Sequence, residues 1–140
     1  MPDWLLDTNV VSALMRQDAA VIARLSRLSN AETVYLSVVA HAEIRCGIHR
    51  LPAGRRKRAV ERAYELLLPQ VGSLLEVTRE VSETYARIKA ALEQRGIILP
   101  ENDVWIAATA LVHHLTLVTA DGHFAAVPGL SVENWLHGVP

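Results

Sequence analysis

Cysteine and phenylalanine occur once each in these 140 residues, and neither sign of charge is in real excess. Each shortage excludes something. A lone Cys46 cannot close an internal disulfide, so the chain is no disulfide-framed scaffold and fits a reducing compartment. With a single Phe, the core has to be filled by Leu, Val, Ile and Ala. A net charge of −1 means that any nucleic-acid binding must come from local basic patches. No apolar run approaches the roughly 20 residues that span a bilayer. The N-terminus lacks the basic-then-apolar pattern of a signal peptide, so a cytoplasmic protein is expected. No Cys/His spacing suggests zinc, and neither a Walker-type nor a dinucleotide-binding glycine fingerprint is present. What is there, 51% hydrophobic and 21% charged residues, is the profile of a globular protein. The length predicts a single domain over 1–140, able to bury roughly two-thirds of its unfolded surface.

Along the chain, short apolar or β-branched runs alternate with helical periodicity. "WLL" (4–6), "TVYLS" (33–37), "SLLEV" (73–77), "LTLVTAD" (115–121) and "LSVENW" (130–135) read as strands. Helices are expected from about Asn9 to Arg16, over 18–30 with Asp18 as N-cap, and from Val38 to about Leu51. Three more are expected over 55–68, over 79–96 with Gly96 just past the end, and after Pro100 through "ENDVWIAATALVHH". Strands alternating with helices imply parallel pairing through crossover helices, hence a layered α/β/α domain. In such sheets functional groups gather beyond the carboxyl ends of the strands.

Four acids stand at such places. Asp7 directly follows the first strand, and Asp121 follows "LTLVTA". Glu43 lies under two turns into the helix after the second strand, and Asp103 opens the Ala-rich helix. Singly, each has an ordinary reading. Asp7 is a helix cap, Asp103 a cap or a partner of the helix dipole, Asp121 the first half of an Asp-Gly turn, and Glu43 a solvated helix residue. Together they have another. Carboxylates gathered within a few ångströms repel and need a cation to stay ionised at neutral pH. All-oxygen ligands with open positions suit Mg²⁺ or Mn²⁺, which can activate a water for attack on a phosphodiester. Thr8, Asn9, Ser37 and Thr119 are neutral polar neighbours able to hydrogen-bond the carboxylates or metal-held water.

The blocks "LLDTNVVSAL", "SVVAHAEIRCGI", "NDVWIAATAL" and "LTLVTADGHFAAVPGL" resemble, in order, the signature blocks of PIN-domain ribonucleases. The similarity is greatest to the toxins of VapBC-type toxin–antitoxin pairs and runs from residue 5 to about 135. The resemblance implies a three-layer α/β/α PIN-like fold with a central parallel β-sheet and metal-dependent endoribonuclease activity. It also implies a homodimer, and a cognate antitoxin whose C-terminal segment covers the acidic site, with an Arg standing in for the metal's charge. By the same resemblance, Asp7, Glu43 and Asp103 match the family's three strongest acidic positions. Asp121 matches a fourth that varies more, because relatives often carry Asn there and an acid a few residues later.

The densest positive charge is Arg55-Arg56-Lys57-Arg58, which would oppose the dipole of the helix it begins. It reads either as a solvated helix start or as a phosphate-contacting RNA surface. Arg45 either touches RNA or pairs with an acid. His113-His114 read as helix-end residues, His123 as a neighbour of the acidic edge, and Trp105 and Tyr85 as core or dimer interface. Two rival functions fit the same residues: a housekeeping RNA-processing nuclease with no antitoxin, and a PIN-fold interaction module without catalysis. A phosphoaspartate domain fits less well, for no second Asp follows Asp7 by two residues and no catalytic Lys follows a later strand.

Overall fold

Trp4–Leu6 is apolar at all three positions because it becomes the middle of a sheet, covered on both faces. In the structure, a computed structural model describing residues 3–136, this strand is β1. The others are β2 (Val34–Ser37), β3 (Leu74–Leu75), β4 (Thr116–Val118) and β5 (Val132–Glu133). All neighbours pair in parallel in the order β3-β2-β1-β4-β5. The helices between them are α1 (Thr8–Met15), α2 (Ala19–Ser26), α3 (Val38–Arg50), α4 (Arg55–Leu67), α5 (Arg79–Gln94) and α6 (Glu101–Val112). They flank the sheet: α1 packs on α2, α3 and α4, while α5 lies along α6, which in turn packs on β4. The expected layered α/β fold with a central parallel sheet is the one found. The outermost residues of the expected 1–140 domain lie outside the described ones.

The expected elements are all present, and their ends carry the physics. Asp18 caps α2, accepting from the backbone N–H groups of Ala20 and Val21. That helix stops at Ser26 rather than near Asn30, and the Ser26 hydroxyl turns back to the Ala23 carbonyl. Gly96, at φ 70°, ends α5 with paired bonds from Ile97 N–H to Leu92 C=O and from Gly96 N–H to Glu93 C=O. α6 ends the same way with His114 in the left-handed position (φ 55°), which explains the His113-His114 pair as a helix stop. Gly72 is required by its close neighbour: a Cβ there would lie 2.9 Å from the Tyr35 ring.

The two edge strands are shorter than "SLLEV" and "LSVENW" suggested, two residues each. Short edges leave few unpaired backbone groups to invite another chain. β5 is nonetheless held firmly from behind. Trp135 meets Trp4 edge-on at 5.3 Å between ring centroids, with the Arg24 guanidinium over both rings. The Glu133 carboxylate accepts from both Arg24 (3.0 Å) and the Trp135 indole (2.8 Å). The strand order runs outward from β1 in two directions, first through β2 to β3 and then through β4 to β5. The sheet therefore changes direction at β1, with β2 and β4 on its two sides, and a crevice opens at their carboxyl ends.

Candidate metal centre

Asp7 emerges from β1 at that crevice and caps α1, its Oδ1 accepting from Thr8 N–H at 2.8 Å. Its other oxygen accepts from the Thr119 hydroxyl at 2.7 Å, and from the Asn9 amide at 3.4 Å. Thr119 stands just beyond β4 and is almost wholly buried, like Asp7 itself at 5% exposure. The same Thr119 oxygen accepts from the backbone N–H of Asp121 at 3.0 Å. One hydroxyl thus ties the acid after β1 to the acid after β4. Burial raises the Asp7 carboxyl above its usual range; the bonds from Thr119 and Thr8 oppose this, and the charges of Asp103 and Glu43 add to it.

Glu43, on the second turn of α3, is held from two other elements. Thr8 Oγ1 donates to its Oε1 at 2.8 Å, and the Asn102 amide donates to its Oε2 at 3.3 Å. Asp103 lies in the first turn of α6, but it is not the cap, since Pro100 takes that place without a side-chain bond. Its carboxylate instead faces His123, Oδ2 to Nε2, at 2.6 Å. Burial raises the Asp103 carboxyl most; the His123 interaction opposes this, and the charges of Glu43 and Asp121 add to it. Asp121 is not in a plain turn. It caps the short 3-10 helix Gly122–Ala126, its Oδ1 accepting from His123 N–H (3.3 Å) and meeting the ring Nδ1 of the same residue (2.7 Å).

The fold therefore sets Asp103, in the first turn of α6, between the other acids: its charge and that of Glu43 reach Asp7 at the end of β1, and it feels Glu43 on α3 and Asp121 beyond β4 in turn. Asp103, Asp121 and His123 each offer a ligand atom, all within 4.8 Å of one another. Three of the four expected polar neighbours join in: Thr8, Asn9 and Thr119 all bond a carboxylate. Ser37 does not. It is a buried N-cap, its hydroxyl accepting from Ala40 N–H at 3.0 Å, because a chain turning from β2 into α3 needs that donor satisfied.

Arg45 pairs with no acid among the described residues. It lies near the His41–Tyr64 pair, whose ring nitrogen and hydroxyl are 2.6 Å apart. Burial pushes the Tyr64 hydroxyl up to about 12, against the pull of Arg45. Arg55, Arg56 and Arg58 are exposed on the first turn of α4, and Lys57 donates to the His49 carbonyl at 3.4 Å. Gly54 supplies no side-chain cap there. Tyr85 and Trp105 stack on each other at 3.8 Å between α5 and α6, partly buried. Two site residues are faint or silent in the sequence. His123 is legible there only as a neighbour of Asp121, two positions on. Asn102 carries no signal beyond preceding Asp103.

The PIN domain family model matches residues 4–130. Among curated relatives, "VapC ribonuclease Y4jK" of Sinorhizobium fredii is 34% identical over 134 residues, covering 93% of this chain and 95% of its own. "Toxin FitB" of Neisseria gonorrhoeae is 37% identical over 136 residues, covering 94% and 97%. Among solved structures, VapBC2 from Rickettsia felis, bound to a DNA fragment from its promoter, superposes with a TM-score of 0.87 at 25% identity. That match covers 95% of this chain and 98% of the other.

Proposed function

The chain belongs to the PIN-domain family, and on that footing we propose that it is a metal-dependent endoribonuclease, the toxin of a type II toxin–antitoxin pair. One observation carries this reading: acids far apart in sequence are drawn to the sheet crevice, where Asp103 lies beside Asp121 and His123, and where the charges of Asp103 and Glu43 reach the buried Asp7. A cation bound among these acids would offset their mutual repulsion. The donors are hard carboxylate oxygens, which fit Mg²⁺ or Mn²⁺. Asp7, Glu43 and Asp103 would hold the ion, with Asp121 as the fourth acid. Bound there, a divalent cation supplies the charge that activates an attacking water and offsets the charge building on the phosphate.

The chain's own groups do the positioning. Thr8 orients two acids at once, Asp7 through its N–H and Glu43 through its hydroxyl. Thr119 and Asn102 hold the other oxygens of the same two. Carboxylates held this way need no rearrangement when a substrate arrives. Arg55, Arg56, Lys57, Arg58 and Arg45 are the RNA-facing cations in this reading, binding phosphates without reading sequence. A groove of about 550 Å³ runs along Val38, Val39, Ala42, Cys46 and Trp105 and reaches Glu43 and Asn102. It supports seating of the antitoxin's segment there, with an Arg directed at the acids. A cytoplasmic homodimer completes the reading, and no helix among the described residues is long and apolar enough to cross a membrane.

The test is cleavage of RNA by the purified chain, freed of antitoxin, with and without Mg²⁺ or Mn²⁺. Asp7→Asn removes the charge and nearly keeps the shape. We expect metal-dependent cutting that falls by more than about 100-fold in the variant, beyond what losing an outer partner of a ligand costs. Equal cutting by both proteins would return Asp7 to a helix cap alone.

A further inference from the structure

Among the described residues, His123 is the one with both ring nitrogens against carboxylates. Nε2 lies 2.6 Å from Asp103 Oδ2, and Nδ1 lies 2.7 Å from Asp121 Oδ1. Its backbone is fixed as well: its N–H is bonded to Asp121, and the next residue, Phe124, is fully buried and anchors the 3-10 turn. The two carboxylates are not equivalent. Asp121, two residues away, is a local brace belonging to the same turn. Asp103 arrives from α6, feels the charge of Glu43, and its own charge reaches Asp7. Metal-bound histidines characteristically give their second ring N–H to a carboxylate that sets tautomer and ring angle. His123 has a carboxylate at each ring nitrogen, Asp121 at ion-pair distance from Nδ1 and Asp103 hydrogen-bonded at Nε2, so a small turn of the ring gives that arrangement.

Resting on the metal-dependent reading above, we infer that His123 Nε2 is itself a ligand to the metal beside Asp103, and that Asp121 acts as a positioning residue through His123 Nδ1. Ligands at right angles around an ion about 2.1 Å away lie roughly 3 Å apart, so the present Nε2–Asp103 separation needs to open only slightly. The inference gives the variable fourth acid a distinct task in this chain. It also predicts the ion: an imidazole donor disfavours Mg²⁺, which prefers oxygen, relative to the transition metals.

The experiment uses the purified full chain loaded with Mn²⁺ alone and reads ¹⁴N couplings to the ion by pulsed electron paramagnetic resonance. A coupling of directly bound imidazole is expected in the wild type and lost in His123→Gln. Asp121→Ala should keep the coupling while weakening Mn²⁺ affinity about 10–100-fold, and should add little when made in the His123→Gln background. Bound Mn²⁺ without nitrogen coupling, or a coupling that survives His123→Gln, overturns the inference. In that case His123 is an ion-pair partner of the acids, and the nuclease reading stands if Mn²⁺ still supports RNA cleavage. Failure of the chain to bind Mn²⁺ at all overturns both. Additive losses from Asp121→Ala and His123→Gln would make Asp121 an independent ligand and overturn its positioning role.

Discussion

Asp7 shows how one side chain holds an ordinary role and a specialised one at once. Its Oδ1 caps α1, and its Oδ2 faces the crevice with Thr119. The specialised role has a measurable effect on stability. Burial, with Asp103 and Glu43 adding, raises its carboxyl in the fold, so the folded chain binds that proton more tightly than the unfolded chain does. Ionising it therefore costs stability. The cost is absent below the unfolded value, near 3.9, and complete once pH exceeds the raised folded value. Asp7→Asn removes the charge, so the metal-free variant should be more stable than metal-free wild type at pH 7. Its advantage should shrink as pH falls through the carboxylate range. Urea unfolding at several pH values without metal checks this, and a variant less stable at pH 7 would show that the bonds, not the charge, dominate. Saturating Mn²⁺ should reverse the order, because only the wild type gains full binding energy.

Among the elements, α4 is the one whose sequence contradicts helix physics. Four cations occupy its first turn, where the dipole favours anions, and Gly54 offers no side-chain cap. Such a start is tolerated if the charge has another use. Replacing Arg55, Arg56 and Arg58 together by Gln should leave stability unchanged or slightly raised. RNA affinity should fall, and the slope of log affinity against log salt should become shallower by about 0.7 for each phosphate no longer neutralised. An unchanged salt slope would mean that the run is merely solvated. Elements of this kind are legible in the sequence, since periodicity and caps such as Asp18 and Gly96 are local signals. Sequence and structure part where a side chain answers to a distant partner. Asp103 reads as a cap but faces His123 from α6, and Ser37 reads as a neighbour of the acids but caps α3.

For the whole molecule, strand order matters more than any single pair of residues. Placing β1 between β2 and β4 brings residues 7 and 119 together across 112 positions of chain. β5 supports that junction from outside, since Thr119 N–H bonds the Glu133 carbonyl and Glu133 belongs to the Arg24–Trp135–Trp4 cluster. Trp135→Ala should therefore cost about 3–5 kcal/mol in urea unfolding, as expected for removing a buried Trp. It should also weaken Mn²⁺ binding although Trp135 is not at the crevice. A loss below about 1 kcal/mol would mean that the core readily closes over the gap.

Element types and the parallel layered fold can be read from the order of the amino acids, and the four acids can be picked out from it as candidates. Apolar runs, helical periodicity and capping chemistry are encoded within a few residues of where they act. It takes the folded chain to reveal that Thr119 joins Asp7 to Asp121, that Asn102 reaches Glu43, and that His123 stands between Asp103 and Asp121. Those pairings depend on crossover geometry and strand order, which bring together groups that share no local pattern.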